Sequence, residues 1–147
     1  MDEAQKELVR ATFARIAPIA DQAGLMLYEN IFAIDPSLRR LFKIDIETQG
    51  RKIMAVIATA IANLDRLGEV LPRIRELGRK HVGYGVRDKD YDTGGVALLM
   101  TLEAALGDDF TPAAREAWAA CYGTIVGEMK AAAAAFSARE CEEALCL

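Results

Sequence analysis

The single histidine of the chain lies in the stretch Arg79-Lys80-His81-Val82-Gly83-Tyr84-Gly85-Val86. Upstream of it, apolar or small residues recur at steps of three and four, at Val70, Leu71, Ile74, Leu77 and Gly78. This spacing predicts a helix that carries His81 on its apolar face in the last turn, before Gly83 and Gly85 end it. A histidine on such a face is either a core residue satisfied by hydrogen bonds or a metal ligand.

Length and composition predict one soluble, folded domain. The chain has 147 residues, of which 52% are hydrophobic and 27% charged, and its net charge is −4. Because no basic stripe stands out, nucleic acid is not an expected partner. No apolar run approaches the ~18 residues of a membrane-spanning helix, and the N-terminus lacks a signal-peptide core. We therefore expect a cytoplasmic protein that does not associate with a membrane.

The chain contains three cysteines, with Cys121 in a helical pattern and Cys141 and Cys146 near the C-terminus. An odd number, without a Cys-x-x-Cys spacing, argues against a disulfide framework or a zinc site. Free thiols are expected, although Cys141 and Cys146 could pair under oxidation.

Helical periodicity continues through the whole chain and no strand-like alternation persists, so the predicted fold class is all-α. About seven helices are expected, the last of which opens with Thr111 as N-cap and Pro112 at its first position. The earlier helices are predicted over residues 3–16, 21–33, 36–41, 49–64, the His81 helix with Pro72 in its first turn, and 90–106. Residues 43–48 are expected to form a polar connection, residues 1–136 one domain, and residues 137–147 a frayed tail.

Two of the predicted helices carry a polar residue on an otherwise apolar face, Gln49 on one and His81 on the other. Each residue alone is more often part of a core or a surface. Together they predict a pocket between helices, with a group able to bind a ligand on one wall and a hydrogen-bonding group on the other.

The joint spacing of several residues resembles that of the globin family, over residues 5–130 of the chain. The resemblance is carried by Pro36, Phe42, Gln49, His81, Tyr91 and Trp118, which stand at intervals typical of that family. It implies a globin fold of about seven helices, with the family's fourth helix reduced to a loop. It also implies a pocket for haem b, with His81 as the protein ligand of the iron.

Among globins, the chain is most similar to bacterial single-domain haemoglobins and to the globin domain of flavohaemoglobins. Tyr28 and Gln49 match the usual distal pair of that group. The resemblance implies that haem is also contacted by Phe42, Lys52, Ile53, Leu77, Val86 and Tyr91. Lys52 could in principle ligate ferric iron, but burying an ammonium is costly, so contact with the haem carboxylates or solvent is expected.

The chemistry expected from this resemblance is reversible binding of oxygen, and of carbon monoxide or nitric oxide, at ferrous iron. One neutral imidazole leaves the opposite face of the iron open, and the chain has no second histidine to close it. The Tyr28 hydroxyl and the Gln49 amide are donors that stabilise negative charge on the ligand. Leu25, Ile53 and Phe42 are expected to keep the pocket dry, which strengthens those hydrogen bonds.

The proximal side departs from the flavohaemoglobin pattern. In that family a glutamate late in the last helix pairs with the proximal histidine, and a tyrosine supports the pair. Tyr91 matches the tyrosine, but the glutamate position falls at about Ala133, inside an alanine run. The His81 ring N–H is then expected to donate to a backbone carbonyl, most simply that of Leu77. A neutral, myoglobin-like imidazole favours reversible oxygen binding over oxygen activation.

Three other functions remain open at this point. One is a nitric oxide dioxygenase, which would need a separate reductase, since no Gly-x-Gly-x-x-Gly fingerprint of a cofactor-binding domain is present. The second is a haem-based gas sensor. The third is a helical protein without haem in which His81 is structural. The sequence is compatible with a monomer or a homodimer.

Overall fold

The computed structural model describes residues 1–42 and 45–145, with the backbone alone for residues 137–145. Within these ranges the chain forms six α-helices, joined in part by four short 3-10 helices. The α-helices are α1 Glu3–Ile16, α2 Ala20–Ile34, α3 Ile46–Ala62, α4 Leu67–Gly83, α5 Asp88–Leu106 and α6 Pro112–Leu145. The 3-10 helices are Ala17–Ile19, Pro36–Leu41, Leu64–Arg66 and Gly107–Asp109. The predicted all-α class is confirmed.

Side-chain caps start several of these helices. The Asp35 carboxylate accepts a hydrogen bond from the Ser37 backbone N–H at 3.1 Å, as predicted for the start of the helix Pro36–Leu41. Thr111 Oγ1 accepts from the Ala114 backbone N–H at 3.1 Å, which confirms Thr111 as the N-cap of α6. Each cap satisfies a backbone donor that has no partner inside the helix.

Four helices begin earlier than predicted, α2 by one residue, α5 by two, and α3 and α4 with consequences for the residues around them. Asp45 caps α3 by accepting from the Thr48 N–H at 2.9 Å, so residues 46–48 are helical and not part of a polar connection. Lys43 and Ile44 of that predicted connection lie outside the described residues. The helix α4 begins at Leu67, which places Pro72 inside it and not in its first turn. The carbonyl one turn before Pro72 therefore lacks its helical N–H partner.

The helix α6 also extends further than predicted. Its backbone is helical from Pro112 to Leu145, so residues 137–145 are helical instead of a frayed tail. The alanine run Ala131–Ala135 explains the continuation, because alanine has the highest helix propensity. The domain boundary at residue 136 stays a prediction.

The buried side chains form two clusters. The larger joins α1, α2, α3, the centre of α5 and the first half of α6, where buried Trp118 donates to Thr12 Oγ1 at 2.8 Å. The smaller joins α4 to the start of α5 and the second half of α6. Tyr122 and Ile125 of α6 pack against both clusters.

Closely packed glycines set where the helices meet. A Cβ built on Gly24 of α2 would lie 2.4 Å from the Gly50 carbonyl oxygen of α3. A Cβ built on Gly78 of α4 would lie 2.5 Å from the Met129 carbonyl oxygen of α6. Both distances are far below van der Waals contact, so each glycine permits an approach that a larger residue would prevent.

No described helix is both long and apolar enough to cross a membrane.

Candidate functional site

The His81 side chain is held by a hydrogen bond within its own helix. Its Nδ1 lies 2.7 Å from the Leu77 carbonyl oxygen, one turn back on α4. Because a carbonyl can only accept, Nδ1 carries the proton and the lone pair is on Nε2. Burial lowers the pKa of His81 and so favours the neutral ring, although the hydrogen bond to Leu77 opposes this shift. The predicted hydrogen bond to Leu77 is present, and it leaves Nε2 available as a metal ligand.

Tyr91 of α5 lies against the His81 ring. The two rings are nearly parallel, with centroids 6.0 Å apart and an angle of 20° between planes. Tyr91 is buried, and its hydroxyl is the one buried side-chain polar atom in the described structure without a hydrogen-bond partner. A buried hydroxyl usually has a partner, so this atom fits a pocket in which a bound group supplies one. Burial, and then the charge of Asp88, raises the pKa of Tyr91.

No described carboxylate pairs with His81. Glu128, the acidic residue of α6 closest in sequence to the position expected for a proximal glutamate, accepts from Arg75 Nε at 3.2 Å. A cation also lies on this side, since Lys130 Nζ is 5.8 Å from the Tyr91 ring centroid. Lys130 also forms an ion pair with Asp92 at 3.6 Å. Among the side chains that the structure describes, none is a carboxylate that would draw the proton from His81.

The two candidate distal residues, which the predicted site places on a second wall, lie near the crossing of α2 and α3 at Gly24 and Gly50. Tyr28 lies one turn after Gly24, and Gln49 directly precedes Gly50, so the crossing brings both near the same contact between helices. Tyr28 is buried and Gln49 is half-buried. Burial raises the pKa of Tyr28 to about 12, so at neutral pH the hydroxyl keeps its proton and can donate a hydrogen bond.

Two aromatic rings, those of Phe32 and Phe42, pack around Tyr28. Phe42 stands edge-on to Tyr28, with centroids 5.0 Å apart, and edge-on to Phe32, at 5.6 Å. The Tyr28 and Phe32 rings are 6.2 Å apart. The Arg39 guanidinium lies 5.3 Å from the Phe32 ring centroid. This cluster holds Tyr28 in an apolar setting, which is the condition for a strong hydrogen bond to a ligand.

The remaining predicted haem contacts divide between the two clusters and the surface. Ile53 is half-buried and packs against the larger cluster, whereas Leu77 and Val86 are half-buried against the smaller one. Lys52 is exposed on α3, so it lies where it could meet an acidic group at the edge of a pocket. The structure thus distributes these residues over two walls and a rim.

The two walls belong to separate pairs of helices. Within the described chain, α3 packs mainly on α2, and α4 packs mainly on α6. The walls approach each other through Leu41 of the helix Pro36–Leu41, whose Cδ2 lies 3.6 Å from a Cβ built on Gly85. A small apolar cavity lies deeper in the larger cluster, between Leu27, Met54, Leu98 and Trp118, and none of the predicted haem contacts lines it.

The chain matches known proteins over most of its length. The family model described as Globin matches residues 25–129, which is more than half of the chain. The chain belongs to the globin family. It is 30% identical to neuroglobin of Dissostichus mawsoni over 143 residues, covering 88% of this chain and 90% of that protein. To neuroglobin of Tetraodon nigroviridis it is 30% identical over 138 residues, covering 84% and 87%.

Another relative is the flavohemoprotein of Bacillus subtilis (strain 168), 29% identical over 132 residues. This match covers 85% of the chain but 32% of the flavohemoprotein. The predicted globin fold is confirmed, and membership supports haem and diatomic gas binding in general. The closer likeness to bacterial haemoglobins stays a prediction, since relatives from fish match as well.

The structural roles of Gly24, Gly50 and Lys130 were not predicted. A glycine inside a helix costs about 1 kcal/mol relative to alanine, so an internal glycine is a signal of close packing. That signal was available at Gly24 and Gly50, but it does not say which helix approaches. Lys130 carried no signal, because its position beside Tyr91 depends on how α5 and α6 pack.

Proposed function

We propose that this globin binds haem b through His81 Nε2 and binds oxygen reversibly. The observation that carries the proposal is the hydrogen bond from His81 Nδ1–H to the Leu77 carbonyl, at 2.7 Å. It makes the ring a neutral donor with a defined orientation. Haem, when bound, supplies a ferrous iron with one position open to a diatomic ligand.

On the proximal wall, the chain's own residues keep His81 neutral. A carbonyl withdraws the Nδ1 proton far less than a carboxylate does, so the imidazole donates less electron density. This weaker donation favours release of oxygen unchanged over cleavage of its bond.

On the distal wall, Tyr28 and Gln49 supply two hydrogen-bond donors. Tyr28 is protonated at neutral pH because burial raises its pKa. A hydrogen bond to a charged partner contributes ~1.5–3 kcal/mol, so these donors should control how slowly oxygen leaves. Phe42, Leu25 and Ile53 are half-buried beside them and would exclude water from these bonds.

A second candidate function is nitric oxide dioxygenation with electrons from a separate reductase. It is favoured by the similarity to a flavohemoprotein and by the tyrosine–glutamine pair that the two share by resemblance. It is disfavoured by the carbonyl partner of His81, since a carboxylate partner would better support oxygen activation. A gas sensor would use the same pocket.

The experiment starts with an absorption spectrum of the purified protein. A Soret band that shifts on reduction and again with carbon monoxide is expected, and its absence after reconstitution with haem would contradict the proposal. Oxygen consumption and nitric oxide loss are then measured with and without an added reductase. Oxygen that is taken up and released without loss supports the carrier, whereas sustained conversion of nitric oxide to nitrate would put the enzyme first.

A further inference from the structure

The positive charges of the chain are concentrated around the candidate site. Residues 35–52 and 73–90 contain 11 of the 18 Lys and Arg residues but only 6 of the 22 Asp and Glu residues. These segments therefore carry a net positive charge in a chain whose total is −4. They include the helix Pro36–Leu41, the start of α3, most of α4 and the turn into α5.

These segments meet at one edge of the molecule. The contact of Leu41 with Gly85 joins the helix Pro36–Leu41 to the turn after α4. The pKa of Asp35 is lowered first by the hydrogen bond from Ser37 and also by the charges of Lys89 and Arg87. Lys89 and Arg87 therefore lie near the start of that 3-10 helix.

The other cations at this edge lie beside the pocket residues. Lys52 follows Gln49 by one turn on α3, and Lys80 directly precedes His81 on α4. We call the set Arg39, Arg40, Lys52, Lys80, Arg87 and Lys89 the basic rim. All six are exposed.

The basic rim differs from the other basic residues in its partners. Of the ten described basic residues outside it, seven form an ion pair with a carboxylate, and Arg51, Arg66 and Arg73 do not; the seven are Lys6, Arg10, Arg15, Arg75, Arg79, Arg115 and Lys130. In the rim, only Arg87 does so among the described side chains, with Asp90 at 3.3 Å. Exposed cations that have no ion-pair partner among the described side chains produce a positive potential at the surface. That potential is available to a partner.

We propose that the basic rim is the docking surface for an acidic one-electron carrier protein that reduces the iron. The proposal rests on haem binding at His81, as proposed above. One electron passes from the reduced cofactor of the carrier to ferric iron, giving ferrous iron and the oxidised carrier, and no covalent bond forms or breaks. The rim suits this task because two of its cations are close to the pocket candidates along the chain, Lys52 one turn after Gln49 on α3 and Lys80 next to His81 on α4. A partner docked there would lie near the pocket. Complementary charge raises the rate of such encounters by about 10 to 1000-fold.

The chemistry of the rim favours a protein over a membrane. A helix that binds a membrane surface combines its cations with a row of large apolar side chains on one face. The rim cations are spread over four segments, and the large exposed apolar residue found among them in the described chain is Tyr84. The other large exposed apolar residues lie outside these segments: Ile34 at the end of α2 and Val56 on α3 border them, and Met1, Ile19, Val96 and Met100 lie elsewhere. The pattern is one of charge without an insertion surface.

The test measures reduction of the ferric holoprotein by stopped flow under carbon monoxide, which reports each ferrous site. Reduced flavodoxin serves as the acidic one-electron carrier, and reduced riboflavin as a small uncharged reductant. The rate with flavodoxin should fall steeply as ionic strength rises from ~10 mM to ~300 mM, because screening weakens attraction between charged surfaces. The rate with riboflavin should change little.

Charge reversal locates the effect. The double variant Arg40→Glu and Lys89→Glu should be reduced by flavodoxin at least ~10-fold more slowly at low salt, with an unchanged rate for riboflavin. The control is Arg115→Glu, at an exposed arginine outside the rim, and its rate should stay close to that of the unaltered protein. Ferric spectra confirm that every variant holds haem in the same environment.

Other outcomes overturn the proposal in distinguishable ways. If flavodoxin reduced the rim variant and the control at equal rates, the basic rim would not be the docking surface. A normal haem spectrum in the same experiment would leave the proposed function intact. Binding to vesicles of phosphatidylcholine and phosphatidylglycerol that depends on Arg40 and Lys89, without an effect on reduction, would assign the rim to a membrane instead. Failure of the protein to bind haem would remove both proposals.

Discussion

The proximal and distal walls of this globin are built by different means. The proximal wall depends on a contact within one helix, the hydrogen bond from His81 to Leu77 one turn earlier. The distal wall depends on the crossing of two helices at Gly24 and Gly50 and on rings from separate elements. A local contact follows from the helical repeat, whereas a crossing requires the whole core. The protonation and orientation of His81 are therefore set by a contact within one helix. The positions of the ligand-stabilising residues are set by packing between helices.

The largest effect is expected when His81, the proposed iron ligand of the proximal wall, is removed. His81→Ala should abolish the protein–iron bond and lower haem retention, while the helical fold largely survives, because His81 is half-buried and outside both core clusters. Added imidazole should restore a five-coordinate ferrous spectrum. Absorption spectra with and without imidazole make the comparison, and a native spectrum of the variant without imidazole would refute His81 as the ligand.

The next effect separates the distal wall from the proximal one. Tyr28→Phe should speed oxygen release by about 10 to 100-fold, the equivalent of one hydrogen bond to a charged ligand. Carbon monoxide carries less charge when bound, so its release should change much less. Flash photolysis and stopped flow measure both rates. Gln49→Leu should act in the same direction and less strongly if Tyr28 is the nearer donor. Equal acceleration of the two gases would mean that Tyr28 acts by shape.

The glycine contacts test how each wall is positioned. Gly24→Ala places a methyl group 2.4 Å from the Gly50 carbonyl oxygen and should lower the free energy of unfolding by ~1–3 kcal/mol. Gly78→Ala should destabilise comparably, through Met129. In urea titrations, the control Gly123→Ala should be neutral or stabilising by ~0.5–1 kcal/mol, since nothing lies within 4 Å of its added methyl.

The same two variants sharpen the comparison between walls. Gly24→Ala should alter oxygen release, because it shifts Tyr28 and Gln49. Gly78→Ala should alter the iron–histidine bond, because it shifts α4 against α6. If Gly24→Ala altered the iron–histidine bond and Gly78→Ala altered oxygen release, the two walls would not be positioned independently.

The smallest effect concerns the ionisation of Tyr28. Its pKa is raised from 10.0 to about 12 by burial, so the folded state holds this proton more tightly than the unfolded state. Its contribution to stability is complete below pH 10 and is lost as the pH rises from 10 to 12. In a spectrophotometric titration, Tyr28→Phe should remove a late-titrating fraction from the signal of the 4 tyrosines. Loss of an early-titrating fraction instead would contradict the burial of Tyr28.

The difference between the walls also explains what the sequence could predict. The placement of His81 on an apolar helical face, the Leu77 hydrogen bond and the Thr111 cap all depend on residues three or four apart. Such contacts are set by the helical repeat. The all-α fold followed from the same periodicity along the chain.

One local feature was missed: α3 starts at Ile46 because Asp45 caps Thr48, three residues later, within a polar stretch that looked irregular. Features that depend on distant segments were not predictable in this way. Pro72 is tolerated inside α4 although a proline disfavours a helix interior, and the surrounding packing overrides that preference. The pairing of Gly24 with Gly50 joins two helices whose register cannot be derived from either sequence segment alone.

The central claim is that His81 donates its Nδ1 proton to the Leu77 carbonyl and not to a carboxylate. Resonance Raman spectroscopy of the ferrous deoxy protein reads this directly, because the iron–histidine stretch rises as the imidazole gains imidazolate character. The account predicts a frequency in the low, myoglobin-like range. A frequency in the high, peroxidase-like range would contradict it, reveal a carboxylate partner for His81 and place oxygen activation ahead of reversible binding.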